Sequence, residues 1–117
     1  MGAESKFAGS AVHFPGTSIF QFRWVIGAPD DATALEWAAK FSLAGIAEQI
    51  ECPVLITHGV DDRVVPLAEA RTLYEKVGAR NKTLRMFTAE EGGAEHCQVD
   101  NRQLGIDCIG DWILANT

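Results

Sequence analysis

Little in this sequence suits a membrane. Its longest apolar runs, such as residues 53–57, fall far short of the roughly 20 residues that span a bilayer, and its first residues lack a basic-then-apolar leader pattern. A cytoplasmic protein with no membrane partner is the expectation. Positive charge is scarce too: 10 Lys and Arg stand against 16 Asp and Glu, a formal net charge of -6, and the basic residues are scattered. Tracking a phosphate backbone needs clustered cations, so no nucleic-acid partner is expected. Cysteine is sparse and odd in number. Cys52, Cys97 and Cys108 show no C-x-x-C spacing, which argues against a disulfide framework and predicts reduced thiols buried as small hydrophobes. Internal repeats and low-complexity tracts are absent.

What remains is ordinary for a small folded domain. The chain has 117 residues, 47% hydrophobic and 22% charged, which fits one compact globular unit and neither a disordered nor a fibrous class.

Residues 1–18 mix glycine, proline and small side chains without a period of 2 or 3.6 and read as irregular. In residues 19–26 the aromatic and β-branched side chains Phe20, Phe22, Trp24 and Val25 fit a strand or a buried helix, and periodicity does not choose. Asp30 and Asp31 precede a helical pattern over 32–41, where an aspartate can cap the first turn. A second short helix is predicted over 44–49, ending before the Cys52-Pro53 step.

Val54, Leu55, Ile56 and Thr57 form an unbroken apolar and β-branched run between Pro53 and Gly59, the pattern of a parallel strand buried on both faces. Pro66 suits the first turn of a helix whose Ala70, Leu73, Tyr74 and Val77 recur at helical spacing until Gly78 stops the run. Residues 83–88 alternate as a second strand. Strand, helix and strand of these lengths predict one βαβ unit with a right-handed crossover. After a polar loop over 89–98, Leu104, Ile106, Ile109, Trp112 and Ile113 mark an amphipathic closing helix, with Asp107 and Asp111 on its wet side. The fold class is α/β.

The chemistry concentrates in Pro53-Val-Leu-Ile-Thr-His-Gly-Val-Asp-Asp-Arg-Val-Val-Pro66. A buried strand there ends in a glycine turn that delivers carboxylates to its C-terminal edge, where open α/β sheets bind ligands. Further on, Glu90-Glu-Gly-Gly-Ala-Glu-His96-Cys97 brings a histidine to the loop after the second strand. An acid and a histidine from loops after adjacent strands can meet, the acid fixing the imidazole tautomer and stabilising its charged form. The alternative for each residue is structural: Asp62 capping the helix near Pro66, and His96 satisfying a loop carbonyl. His13 has no partner in the pattern. Although His58, Asp61, Asp62, His96 and Cys97 are metal-ligand types, they follow no ligand spacing, and neither metal nor cofactor is expected.

The first stretch resembles the α/β-hydrolase pattern of strand, His-Gly, two residues, acid, and a hydrophobic-Pro step into a helix; the second resembles that superfamily's base loop. The resemblance covers roughly residues 41–116. It implies a partial α/β-hydrolase fold, with Asp62 rather than Asp61 as the acid, His96 as the base and His58 without a catalytic role. The run Phe41-Ser-Leu-Ala-Gly-Ile46 is similar to the branch containing dihydropseudooxynicotine hydrolase and related esterase-like or carbon–carbon hydrolases. On this reading residues 1–50 are a cap-like or connector segment and 51–117 the C-terminal portion of the hydrolase core.

In that superfamily a G-x-S-x-G nucleophile elbow precedes the acid and base in chain order, and none occurs here. Ser5, Ser10, Ser18 and Ser42 lack its strand-turn-helix setting. The resemblance therefore implies a half-fold that is inactive alone toward a small ester, amide or acyl substrate. Two parallel strands leave open edges, so a homo-oligomer or a complementing hydrolase half is the expected partner. Trp24, Trp37, Trp112 and the phenylalanines are expected in a core or an interface, with Phe22 and Trp24 the best interface candidates. If the N-terminal third is a cap, its apolar residues would line a substrate pocket.

Overall fold

A computed structural model describes residues 17–117, which form two compact units divided between Ala44 and Gly45. The irregular reading of residues 1–16 and the histidine at position 13 lie outside the described residues.

The described part of the first unit is two helices. Helix α1 spans Thr17–Ile26, so Thr17 and Ser18 are helical rather than irregular, and the strand-or-helix ambiguity of 19–26 resolves to helix. It is not buried: Trp24 is 78% exposed, and Phe20 and Val25 are also open to solvent. Gly27, at φ +70°, ends it, with the Gly27 N–H donating to the Trp24 carbonyl and the Ala28 N–H to the Arg23 carbonyl. That pair of bonds is the Schellman closure, which needs a residue tolerant of the left-handed region. Helix α2 covers Asp31–Ala38, where Asp30 caps it by accepting the Thr33 N–H at 2.7 Å. Ala34 and Ala38 form its buried stripe, and Phe22 meets Phe41 edge to face at 6.5 Å.

The second unit holds the α/β arrangement. The predicted helix over 44–49 is a single 3-10 turn at Ala47–Gln49, because Gly45 at φ +74° interrupts any longer run. Strand β1 is Val54–Gly59, helix α3 is Leu67–Lys76 and strand β2 is Lys82–Phe87. The strands pair in parallel, in a register running from Val54 opposite Lys82 to Gly59 opposite Phe87. Helix α4, Arg102–Ala115, closes the unit after a 3-10 turn at His96–Gln98.

Packing departs from expectation in three places. Val54 to Thr57 are half-buried rather than buried on both faces, and full burial comes only at His58 and Gly59. Helix α3 ends because Val77 turns extended, at ψ 126°. Gly78 instead makes room for a neighbour. A Cβ there would lie 2.1 Å from the Glu48 carbonyl oxygen, so its bare α-carbon lets the 3-10 turn approach. The small core centres on Ala47, Val77 and Ala79 with Ile50, Val54 and Leu73 against it. Finally, Cys52 and Cys97 are exposed and Cys108 half-buried. All three are free thiols, but none is a buried hydrophobe, since Cys52 precedes a proline at the surface and Cys97 follows His96 in an exposed position.

At the end of β2, Phe87 is fully buried, with the Arg85 guanidinium 4.4 Å from its ring centroid. Lys82 reaches back across the Tyr74 ring to the Val77 carbonyl at 2.8 Å, meeting the C-terminal end of α3 with a positive charge.

Candidate active site

Beyond β1 the chain turns sharply, and within a few residues a carboxylate is folded back. Asp62 Oδ1 accepts the backbone N–H groups of Val64 and Val65, each at 2.8 Å. The sequence fits this turn, because an aspartate readily bonds amides two and three residues ahead and Pro66 then fixes the entry to α3. His58, in β1, donates through Nε2 to the Val65 carbonyl at 2.9 Å and so holds the same turn from beneath. Its Nε2 is 3.9 Å from Asp62 Oδ2.

The remaining oxygen, Asp62 Oδ2, lies 2.9 Å from Nδ1 of His96. The acid is nearly enclosed, with its side chain 5% exposed, while the imidazole is 42% exposed. Burial opposes ionisation of Asp62, yet the N–H groups of Val65 and Val64 and the contact with His96 outweigh it and hold the carboxyl below its usual range. An ionised Asp62 can only accept. Nδ1 of His96 must then carry the proton in that contact, and in the neutral ring the lone pair falls to Nε2. Asp61 takes no part: its side chain is exposed, and its N–H donates to the Ala94 carbonyl.

The loop that carries His96 is shaped by glycines and one further carboxylate. Gly59 lies so close beneath it that a Cβ would sit 2.1 Å from the Ala94 carbonyl oxygen. Gly93, at φ +80°, starts a run of three amides, those of Gly93, Ala94 and Glu95, that all donate to the Asp100 carboxylate at 2.8, 3.1 and 3.0 Å. Immediately after His96, Cys97 and Gln98 both adopt φ +53°, a conformation costing such residues about 1–3 kcal/mol each. The buried Gln98 side chain fills the space that Gly93 and Gly105 leave by having no Cβ. Sequence reasoning misses Asp100 as a site residue; the available signal is an acidic residue just past a Gly-Gly turn and a histidine.

Thus Asp62 and His96, singled out by the resemblance, are brought together, and His58 holds the turn that carries Asp62. No serine occurs in residues 45–117. Ser18 lies in α1, Ser42 follows α2 with its hydroxyl accepting the Ala44 N–H, and Ser5 and Ser10 are outside the described residues. Among the described residues no three His, Cys, Asp or Glu side chains gather as a metal site would require, and no helix is long and apolar enough to cross a membrane.

Residues 38–91 match the family model described as serine aminopeptidase, S33. The match takes in β1, Asp62, α3 and β2 and ends before His96. The match covers less than half of the chain, and the parallel βαβ unit is consistent with part of an α/β-hydrolase fold. No curated protein matches the chain.

Proposed function

We propose that this chain supplies the acid and base of a serine hydrolase triad, with the nucleophile contributed by a complementing hydrolase half. The observation that carries the reading is the division of labour on Asp62: two amides occupy Oδ1, and Oδ2 is left for Nδ1 of His96. In that arrangement Nε2 accepts the proton of an attacking hydroxyl, the imidazolium is stabilised by Asp62, and the proton passes to the leaving group. The substrate class is a small ester, amide or activated carbon–carbon bond, by likeness to the esterase-like branch containing dihydropseudooxynicotine hydrolase, and the setting is cytoplasmic. Without a serine in residues 45–117 the chain alone is expected to be inactive.

Turnover of p-nitrophenyl acetate and butyrate by the purified chain, beside His96→Ala, tests this. The expected result is no saturable, His96-dependent turnover until a chain bearing G-x-S-x-G is supplied. Saturable turnover by the chain alone that His96→Ala abolishes would mean a nucleophile within it and overturn the divided triad.

A second reading, a non-catalytic homo-oligomer, draws on α4. Ile106, Ile109 and Ile113 are spaced three and four residues apart, share one face, and are all exposed, Ile106 by 61%. Light scattering with the supplied G-x-S-x-G chain separates the readings: a stable dimer that gains no turnover on that addition favours assembly.

A further inference from the structure

We infer that Asp100 is a positioning residue for His96, holding the base loop in the shape that lays the imidazole against Asp62. The inference rests on His96 being the base. Three consecutive amides, from Gly93 to Glu95, converge on one carboxylate: Oδ2 receives Gly93 and Ala94, and Oδ1 receives Glu95. A run of N–H groups pointing one way forms a concave anion nest, and it requires the left-handed turn that Gly93 supplies at φ +80°. Here the anion is a side chain of the same loop, so the nest is closed on itself immediately before His96.

The closure also sets the register between the acid and the base. Ala94 is held from both sides: its N–H donates to Asp100 and its carbonyl accepts the N–H of Asp61, next to Asp62, at 3.0 Å. A continuous hydrogen-bonded path therefore runs from Asp100 through Ala94 to the backbone of the acid's turn. Gly59 makes the path possible by having no Cβ under the Ala94 carbonyl. Fixing Ala94 and Glu95 fixes the backbone from which His96 departs, and it opposes relaxation of the unfavourable φ at Cys97 and Gln98.

Both carboxylate oxygens are in use, so the residue type is demanding. Asparagine would present an NH₂ group to at least one of the three amides, and alanine would leave all three without an acceptor. Although burial disfavours its charge, the amides hold the Asp100 carboxyl below the usual range, as a nest that binds the anion must.

Proton and nitrogen NMR of the imidazoles tests this without substrate or nucleophile, using His96→Ala to assign the ring among three histidines. In the unaltered chain His96 should be the Nδ1–H tautomer, with a downfield proton shared with Asp62. In Asp100→Asn and Asp100→Ala that proton should be lost and the tautomers mix. Exchange of the Gly93, Ala94 and Glu95 amides should quicken by roughly tenfold or more, as expected on losing bonds to a charged acceptor, while β1 and β2 amides keep their protection. Should Asp100→Ala unfold, Asp100→Asn, which keeps the volume, carries the comparison. An unchanged His96 tautomer and downfield proton in a folded variant overturns the role of Asp100 alone. Absence of the Nδ1–H signature in the unaltered chain overturns the acid–base reading and this one with it.

Discussion

Asp62 and His96 meet through a single oxygen. Oδ2 of the acid stands 2.9 Å from Nδ1 of the imidazole, while its neighbour Oδ1 is committed to the amides of Val64 and Val65. The carboxylate is therefore oriented by backbone rather than by the histidine, and its position should survive removal of the ring.

Acid sensitivity should trace in part to Asp62. Its folded carboxyl titrates below its unfolded value of about 3.9, so its contribution to stability is present above that value and is lost as pH falls through the folded one. Urea denaturation of Asp62→Asn should show a loss of about 1–3 kcal/mol at pH 7 that shrinks toward pH 3. A pH-independent difference would mean that the charge of Asp62 is not what matters. Glu91 and Asp100, also held below their usual range, keep some acid sensitivity in the variant.

His58→Ala should destabilise by about 1–3 kcal/mol, because the buried ring is the donor that meets the Val65 carbonyl. Thermal unfolding measures the loss. In the folded variant the His96 imidazole should exchange between tautomers more readily, since Val65 carries one of the two amides on Asp62.

Two glycine substitutions should act in opposite directions. Gly59→Ala drives a Cβ into the backbone of Ala94, which cannot swing aside, and should cost about 1–3 kcal/mol or more. Gly110, inside α4 with nothing within 4 Å of an added Cβ, should gain about 0.5–1 kcal/mol as alanine. Equal and small effects in denaturant melts would mean that the loop carrying His96 does not depend on the bare α-carbon at position 59.

The exposed isoleucines of α4 should govern association rather than folding. Ile106→Lys with Ile113→Lys should change stability by less than about 1 kcal/mol, each being a surface position. Light scattering should show any self-association of the unaltered chain reduced. An oligomer unaffected by both changes must use another face.

Much of the site is legible in the sequence because its information is local. The run from Val54 to Thr57 announces a strand, and the turn after Gly59 places Asp62 at its C-terminal edge. His96 follows from the same logic one strand later. Burial is less legible: apolar side chains declare what a strand would cover, while the half-exposed Val54 to Thr57 report what lies beside it. Residues 19–26 have aromatic content without a decisive period, and the helix there is settled by backbone bonding and the left-handed Gly27. Asp100 stays hidden for another reason. Its partners are three amides, and an amide looks the same in every sequence.

The span from His58 to Asp100 contains Asp62, the turn amides that clamp it, His58, His96 and the Asp100 carboxylate that gathers the loop amides. Inheritance can treat such a stretch as one cassette. A recombination breakpoint on either side would leave this hydrogen-bonded set whole, whereas one inside it would part its members.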